Sequence, residues 1–226
     1  MVMQCYACEK EAVSREHAPP LCIFPESADA PTHQLQRKNL ITVPACDDHN
    51  LRKSKDDEYL MMVLVAHFEN NALSKAQAST KVSRAWQRRP HLASMAVQNP
   101  IPIELNGQQR VAFHVDSERF DRAMELIAKA LVFHEYGRRW NDPCRAWSPS
   151  MLPSNPATAE QVLQTSNAML EAIPQVFSGK PLLGSNPETF QYRIYLPQAG
   201  EKLGLVEMRF YEGFQVLAML GASVEA

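Results

Sequence analysis

The chain has 226 residues, of which 45% are hydrophobic, and a formal net charge of −2 at pH 7. This length can bury a sizeable core in one large domain, or in a small domain followed by a medium one. The balanced charge excludes a global positive field, so any contact with nucleic acid has to come from a local patch. No apolar run reaches the roughly 18 residues of a membrane span, and the first residues lack the pattern of a signal peptide. We therefore predict a cytoplasmic protein that does not contact membranes.

Two short pairs of metal-binding residue types stand near the N-terminus, Cys5 with Cys8 and Cys46 with His49. Each spacing closes a tight turn, and residues 9–45 are long enough to fold back and bring the pairs together, as a tetrahedral zinc site requires. The alternative is a set of ordinary thiols and a histidine, but two correctly spaced pairs rarely arise together. We predict that these four residues bind a structural Zn²⁺.

The N-terminal part of the chain, residues 1–58, is rich in turns, because prolines interrupt any long helix before Asp47. Residues 40–43 predict a short strand that leads into the second ligand pair. Within residues 48–73, apolar side chains recur near helical spacing, which predicts a helix that starts at that pair. A unit this small has little core, so a bound metal is expected to supply part of its folding free energy.

The middle of the chain predicts a hairpin and a helix. Residues 99–115 alternate as strands do around an Asn-Gly pair at 106–107, which is a strong signal for a tight β-turn. Residue 116 or 117 can cap a helix over 118–136, whose apolar stripe recurs at three and four residues. Gly137 is placed to end that helix.

The last third of the chain predicts one helix and an antiparallel sheet. Residues 158–177 have a helical pattern that is bent or broken near Pro174. The sheet is predicted from three strand-like runs at 190–196, 203–211 and 214–220. The fold class is therefore α+β, with a zinc-bound module over residues 1–65 and an α+β region for substrate or partner contact over residues 66–226.

Other residues near the two ligand pairs complete a recognisable pattern, which comprises Cys5, Cys8, Glu16, His17, Asn39, Cys46, His49 and Asn50. This pattern resembles the HNH endonuclease family, also called ββα-metal nucleases, in its zinc-bound, treble-clef-like form. In that family, zinc-binding knuckles bracket an acid-histidine pair, then an asparagine, then a histidine or asparagine on the helix. The resemblance covers about the first 60 residues and implies that residues 1–65 form an HNH nuclease module.

The resemblance also implies a role for each remaining residue of the pattern. His17 would be the general base that accepts a proton from the attacking water. Glu16 and Asn50 would hold one catalytic Mg²⁺ or Mn²⁺, and Asn39 would orient the His17 ring. A hard, oxygen-ligated cation of this kind stabilises the charge that develops during hydrolysis of a phosphodiester, whereas the zinc takes no part in the chemistry.

Two other functions compete with the nuclease. The zinc module can be a non-catalytic unit that binds nucleic acid or a partner protein, in which case Glu16 and His17 form only a solvated turn. A zinc hydrolase is disfavoured, because four protein ligands leave the metal no open position for water. The role of Glu16, His17 and Asn50 distinguishes these functions, since a binding module has no need of them.

The segment between Asn70 and Ile103 contains no aspartate or glutamate, and helical spacing would group several of its basic residues on one face. Such a face can contact phosphates, or it can simply be solvated. The family resemblance implies that the nucleic acid is DNA. The predicted contacts with it are Lys53, Lys81, Arg84, Arg88 and Arg89. A protein partner or a homodimer is the other interaction that the sequence leaves open.

Overall fold

The computed structural model describes residues 3–31, 35–51, 54–89, 97–105, 107–151, 156–197 and 203–221. The helices are α1 (Ser54–Val65), α2 (Ala72–Gln77), α3 (Ser83–Arg88), α4 (Ser117–Tyr136) and α5 (Pro156–Val176). The strands are β1 (Ser14–His17), β2 (Thr42–Ala45), β3 (Gln98–Leu105), β4 (Gln108–His114), β5 (Cys144–Trp147), β6 (Leu183–Asn186), β7 (Phe190–Tyr195), β8 (Gly204–Phe210) and β9 (Phe214–Leu220). Among these residues, no helix is long and apolar enough to cross a membrane.

The strands form three antiparallel groups. β1 pairs with β2, β3 pairs with β4, and the third group is a five-stranded sheet in the order β5-β9-β8-β7-β6. Along β7 and β8, alternate side chains such as Ile194, Val206 and Met208 are buried in the main core, as expected for a sheet with one face on a core. The predicted α+β class with a C-terminal antiparallel sheet is therefore confirmed.

Helix α1 lies at the centre of the molecule. Every residue from Tyr59 to Val65 is buried, and a helix that is apolar on all sides has to be enclosed by other elements. Ile23 and Phe24, from the connection between β1 and β2, belong to the same core cluster as α1. That cluster also includes buried residues of α4 and of β7, β8 and β9.

The helix predicted over residues 48–73 is shorter than expected. It is preceded by a 3-10 turn at Asp47–His49, and α1 begins only at Ser54. At the C-terminal end of α1, the Asn70 side-chain amide donates to the Leu64 carbonyl oxygen (2.7 Å). The Ser74 hydroxyl donates to the Val65 carbonyl oxygen (3.1 Å). Because side chains satisfy these terminal carbonyls, the chain can turn there without losing hydrogen bonds.

The later helices agree with the sequence. α4 begins after Asp116, whose side chain accepts a hydrogen bond from the Arg119 backbone N–H (3.1 Å), and ends before Gly137, which has a φ of +66°. These are a standard N-cap and a left-handed C-terminal glycine. α5 corresponds to the helix predicted over 158–177 and contains Pro174. In the predicted Asn-Gly turn between β3 and β4, Asn106 lies outside the described residues.

Packing and hydrogen bonds cross the predicted boundary between residues 65 and 66. The Tyr211 hydroxyl, in the C-terminal sheet region, lies 2.5 Å from the Ile23 carbonyl oxygen and 2.9 Å from Gln77 Oε1. Burial raises the pKa of Tyr211 well above its usual range, so the hydroxyl keeps its proton and donates it. The two regions share one core, and the division at residue 65 remains a prediction.

We expect Tyr211→Phe to destabilise the whole chain. The substitution keeps the ring but removes the single O–H donor that the Ile23 carbonyl and Gln77 Oε1 share in a fully buried position. The cost of such unsatisfied acceptors is about 1–3 kcal/mol of unfolding free energy. Urea denaturation measures it, with Tyr136→Phe, at a residue that is 47% exposed, as the matched control. Equal unfolding free energies for the two variants would contradict this account of the core.

Candidate metal centre and catalytic site

Four side chains from two separate segments meet beside the β1–β2 hairpin. Cys5 and Cys8 lie in the N-terminal loop, while Cys46 follows β2 and His49 ends the 3-10 turn after it. Their sulfur and imidazole nitrogen atoms all lie within 4.8 Å of one another. These residues therefore form a cluster that can hold a metal ion, as the sequence predicted.

The distances within the cluster suit tetrahedral zinc. Cys8 Sγ lies 3.7 Å from Cys46 Sγ, and His49 Nδ1 lies 3.6 Å from Cys5 Sγ and 3.3 Å from Cys46 Sγ. Zinc–sulfur bonds of about 2.3 Å at tetrahedral angles separate two sulfurs by about 3.8 Å. Three sulfurs and one imidazole nitrogen are also a usual donor set for structural zinc. Because four protein ligands close the coordination sphere, the metal would stabilise the fold rather than activate water.

The thiols of the cluster differ in their electrostatic surroundings. Burial disfavours the Cys5 thiolate, but backbone N–H groups, including that of Ala7 at 3.5 Å, favour it more, and the pKa of Cys5 is lowered. For Cys8, burial together with the neighbouring thiols Cys46 and Cys5 raises the pKa to about 11. Several thiolates in so small a volume repel one another, and a divalent cation removes that repulsion.

A small apolar cluster supports the metal ligands. It contains Cys5, Tyr6 and Cys46 together with Ala130 of α4, and Leu126 and Phe133 of the same helix pack against it. Tyr6, which is 1% exposed, also packs edge-on against the His49 ring, with ring centroids 6.0 Å apart. The metal cluster is thus attached to α4 of the main body.

A cavity of about 330 Å³ lies on one side of the metal cluster. Its lining is more acidic than basic, and within it Lys10 is paired with Asp48. The lining residues are Lys10, Glu11, Val13, Cys46, Asp47 and Asp48. This cavity does not favour a phosphate, so a nucleic acid would have to approach the module from another side.

The two residues of the acid-histidine pair lie on opposite faces of β1. Pairing with β2 sets Glu16 opposite Val43 and His17 opposite Thr42, and successive side chains alternate between the faces of a strand. Glu16 is 6% exposed, whereas His17 is partly exposed. His17 is also the last residue of β1. A site that uses both Glu16 and His17 would therefore lie at the end of β1, where side chains no longer have to alternate between the two faces.

Glu16 has a buried tyrosine in its electrostatic surroundings. The pKa of Tyr6 is raised well above its usual range, first by burial and then by the negative charge of Glu16. The phenol therefore stays protonated. Tyr6 lies between Cys5 and Cys8 in the sequence and belongs to the same apolar cluster as Cys5 and Cys46. It is therefore close both to the metal cluster and to Glu16 of β1.

Asn50, directly after the metal ligand His49, is held against β1. Its Nδ2 donates to Ser14 Oγ (2.8 Å) and to the Arg15 carbonyl oxygen (3.3 Å). Because a carbonyl can only accept, the amide nitrogen has to face the strand, and Oδ1 is the atom left for a hard cation. The metal cluster thus brings Asn50 to the strand that carries Glu16 and His17.

Asn39 stands three residues before Thr42, the first residue of β2. It is exposed, with a φ of +46°, in the turn that leads into β2. Asparagine tolerates this left-handed conformation better than most residues, which is a sufficient local reason for its presence. Its role in orienting His17 remains a prediction.

Two of the predicted phosphate contacts already have partners in the protein. Lys81 Nζ donates to the Cys22 carbonyl oxygen (2.9 Å), and burial lowers the pKa of Lys81. Arg84 donates to both carboxylate oxygens of Asp29, at 2.9 and 3.0 Å, and Asp29 is only 3% exposed. These two charges attach the segment after α1 to the β1–β2 connection.

The remaining predicted contacts differ from one another. Arg89 is exposed and forms an ion pair with Glu58 at 2.5 Å. Arg88 is exposed and, within the parts of the chain that the structure describes, its side chain forms neither an ion pair nor a hydrogen bond. Lys53 lies outside the described residues. Contact of all five basic residues with nucleic acid remains a prediction.

Comparison of the chain with protein-family models, with curated proteins and with solved structures finds no match. The assignment of a function therefore depends on the site itself. Sequence reasoning did not identify Tyr6 or Arg15 as members of that site. Arg15 had a usable signal, because a residue two positions before His17 on a strand shares its face. Tyr6 had none, since its proximity to Glu16 arises only in the folded chain.

We expect the purified protein to contain about one Zn²⁺ per chain and Cys46→Ser to contain almost none. The substitution removes one thiolate of a closed four-ligand site, so melting temperature falls together with zinc content. Metal analysis by mass spectrometry and a thermal melt measure both quantities. Cys22→Ser is the matched control, because Cys22 lies outside the cluster and its thiol donates to the Asp57 carbonyl oxygen. A Cys46→Ser protein that keeps one zinc would contradict the ligand assignment.

Proposed function

We propose that the protein is a metal-dependent HNH-type endonuclease that hydrolyses phosphodiester bonds in DNA. The observation that carries the proposal is the attachment of Asn50 to β1 through Ser14 Oγ and the Arg15 carbonyl oxygen. It brings an asparagine from the metal-cluster segment to the strand that ends in Glu16 and His17. A purely structural zinc module has no need of this combination.

The donor set suits one hard divalent cation in addition to zinc. A carboxylate from Glu16 and the Oδ1 atom of Asn50 are oxygen ligands of the type that Mg²⁺ and Mn²⁺ prefer. When bound, such an ion stabilises negative charge on the phosphate and on the leaving oxygen. Glu16 is 6% exposed, so little bulk water reaches it.

His17 supplies the base in this proposal. Histidine is suited to accepting a proton from water near neutral pH. The water oxygen forms a bond to phosphorus, the bond from phosphorus to the 3′ oxygen breaks, and the 3′ oxygen takes a proton from solvent. The partial exposure of His17 at the end of β1 leaves room for a DNA backbone to approach it.

The alternative is a non-catalytic zinc module that binds nucleic acid or a partner protein. The positions of Glu16 and His17 on opposite faces of β1 favour this alternative, because only a deviation at the strand end would let both serve one phosphate. Both functions use the same four zinc ligands. Only the nuclease requires His17.

We expect the wild-type protein to nick supercoiled plasmid DNA in Mg²⁺ or Mn²⁺ and His17→Ala to lose this activity. Removing a general base lowers the rate on the order of 10²–10⁴-fold. The rate of conversion from supercoiled to open-circular plasmid, measured with both proteins at equal zinc content, tests this expectation.

His134→Ala is the matched control for the plasmid assay, because the His134 side chain is 42% exposed on α4 and is not a member of the site. It should nick at the wild-type rate. If wild type cuts neither DNA nor RNA with any of these metals, or if His17→Ala cuts as fast as wild type, the non-catalytic alternative replaces the nuclease.

A further inference from the structure

Arg15 and His17 share one face of β1. They are two residues apart on a strand, so their side chains leave it on the same side. Thr42 is the residue paired with His17 across the hairpin. The Arg15 guanidinium donates from Nε to Thr42 Oγ1 (2.9 Å) and from Nη2 to the Thr42 carbonyl oxygen (2.9 Å). It is therefore held against the residue that lies directly beside His17.

The charge of Arg15 is not neutralised by the part of the protein that the structure describes. Arg15 is exposed, and no described carboxylate lies within ion-pair distance of it. Both of its acceptors belong to Thr42, which is uncharged. In contrast, Arg84 and Arg89 each bind a carboxylate.

The two hydrogen bonds also prepare the guanidinium to bind an anion. A guanidinium has five N–H donors, of which the bonds to Thr42 use two and leave three. A fixed planar group loses little side-chain freedom when it binds, which favours a ligand that accepts two hydrogen bonds at once. The non-bridging oxygens of a phosphodiester are acceptors of this kind.

We propose that Arg15 is a catalytic residue that binds a non-bridging oxygen of the scissile phosphodiester next to His17. This inference rests on the proposed nuclease function and names the group that contacts its substrate. As water adds to phosphorus, negative charge on the non-bridging oxygens increases, and a pre-oriented guanidinium binds that transition state more strongly than the ground state. Arg15 thus contributes to the chemical step more than to DNA affinity.

A purely structural role for Arg15 makes a different prediction. If the guanidinium only connects β1 to β2 through Thr42, its loss should weaken the hairpin and, with it, zinc binding. The rate of cleavage per zinc-loaded molecule would then stay unchanged. The two roles are separated by measuring the rate on protein of known zinc content.

The test is a single-turnover cleavage assay with a saturating excess of zinc-loaded protein over a DNA duplex in Mg²⁺, comparing wild type with Arg15→Gln. We expect the cleavage rate to fall about 100-fold, the effect of removing one preorganised donor to a developing oxyanion. The Kd for the duplex, measured without Mg²⁺, should change less than about tenfold, since a single phosphate contact is lost. Arg122→Gln, at an exposed position of α4, is the matched control and should cleave at the wild-type rate.

A second variant provides a readout that a structural role does not affect. Free guanidinium at tens of millimolar should partly restore the rate of Arg15→Ala, whereas tetramethylammonium at the same concentration should not. If substitution at Arg15 prevents folding, Thr42→Val tests the same contact. It removes one of the two bonds that orient Arg15 and should slow cleavage without loss of zinc.

The outcomes separate this inference from the proposed function. Absence of cleavage by wild type would overturn both. Cleavage by wild type and by Arg15→Gln at equal rates would overturn only the role of Arg15, as would a slow Arg15→Ala rate that guanidinium leaves unchanged. Slow cleavage by Arg15→Gln with preserved zinc and duplex affinity, together with rescue by guanidinium, would support it.

Discussion

Enclosure of α1 is the constraint on which the architecture depends. A helix that is buried from Tyr59 to Val65 offers no face to solvent, so elements from both ends of the chain have to surround it. The connection between β1 and β2 covers it together with α4 and the C-terminal sheet. The Tyr211 hydroxyl, beside the Ile23 carbonyl oxygen, belongs to the same enclosure. The N-terminal module is therefore built onto the core of the body rather than beside it.

The candidate site depends on a more local interaction, the closure of the metal cluster. Cys46 and His49 follow β2, and Asn50 comes directly after them, so the turn that carries two of the candidate metal ligands also brings Asn50 to β1. The strand then separates its own residues by face, with Glu16 turned inward and His17 outward. Arg15 is on the same outward side as His17.

Much of this arrangement could be predicted because it depends on local signals. The spacing of cysteine and histidine identified the four residues that can hold a metal ion, and a capping residue and a glycine gave both ends of α4. The end of α1 could not be predicted in the same way. The side chains of Asn70 and Ser74 donate to its last carbonyls in place of backbone N–H groups. The spacing of apolar residues does not reveal such a change of hydrogen-bond donor.

Charge was also interpreted incompletely from the sequence. A run of basic residues without acids indicates a positive surface only if no acid from elsewhere folds against it. Asp29 and Glu58 are distant in sequence from Arg84 and Arg89 but pair with them in the folded chain. Arg15 differs from Arg84 and Arg89, because the residue that accepts its hydrogen bond is the uncharged Thr42 and not a carboxylate.

The packing of α4 has a consequence for how stability responds to metal supply. Ala130 belongs to the apolar cluster around the metal ligands, whereas its neighbour Leu131 belongs to the main core, so one rigid helix is shared by both. A ligand that binds only the folded state adds RT ln(1 + [L]/Kd) to the free energy of unfolding, about 2.7 kcal/mol when its concentration is 100 times Kd. If zinc binds only the folded state, that term would apply to the whole chain, because α4 packs in both clusters. The stability of the C-terminal sheet would then depend on the free zinc concentration.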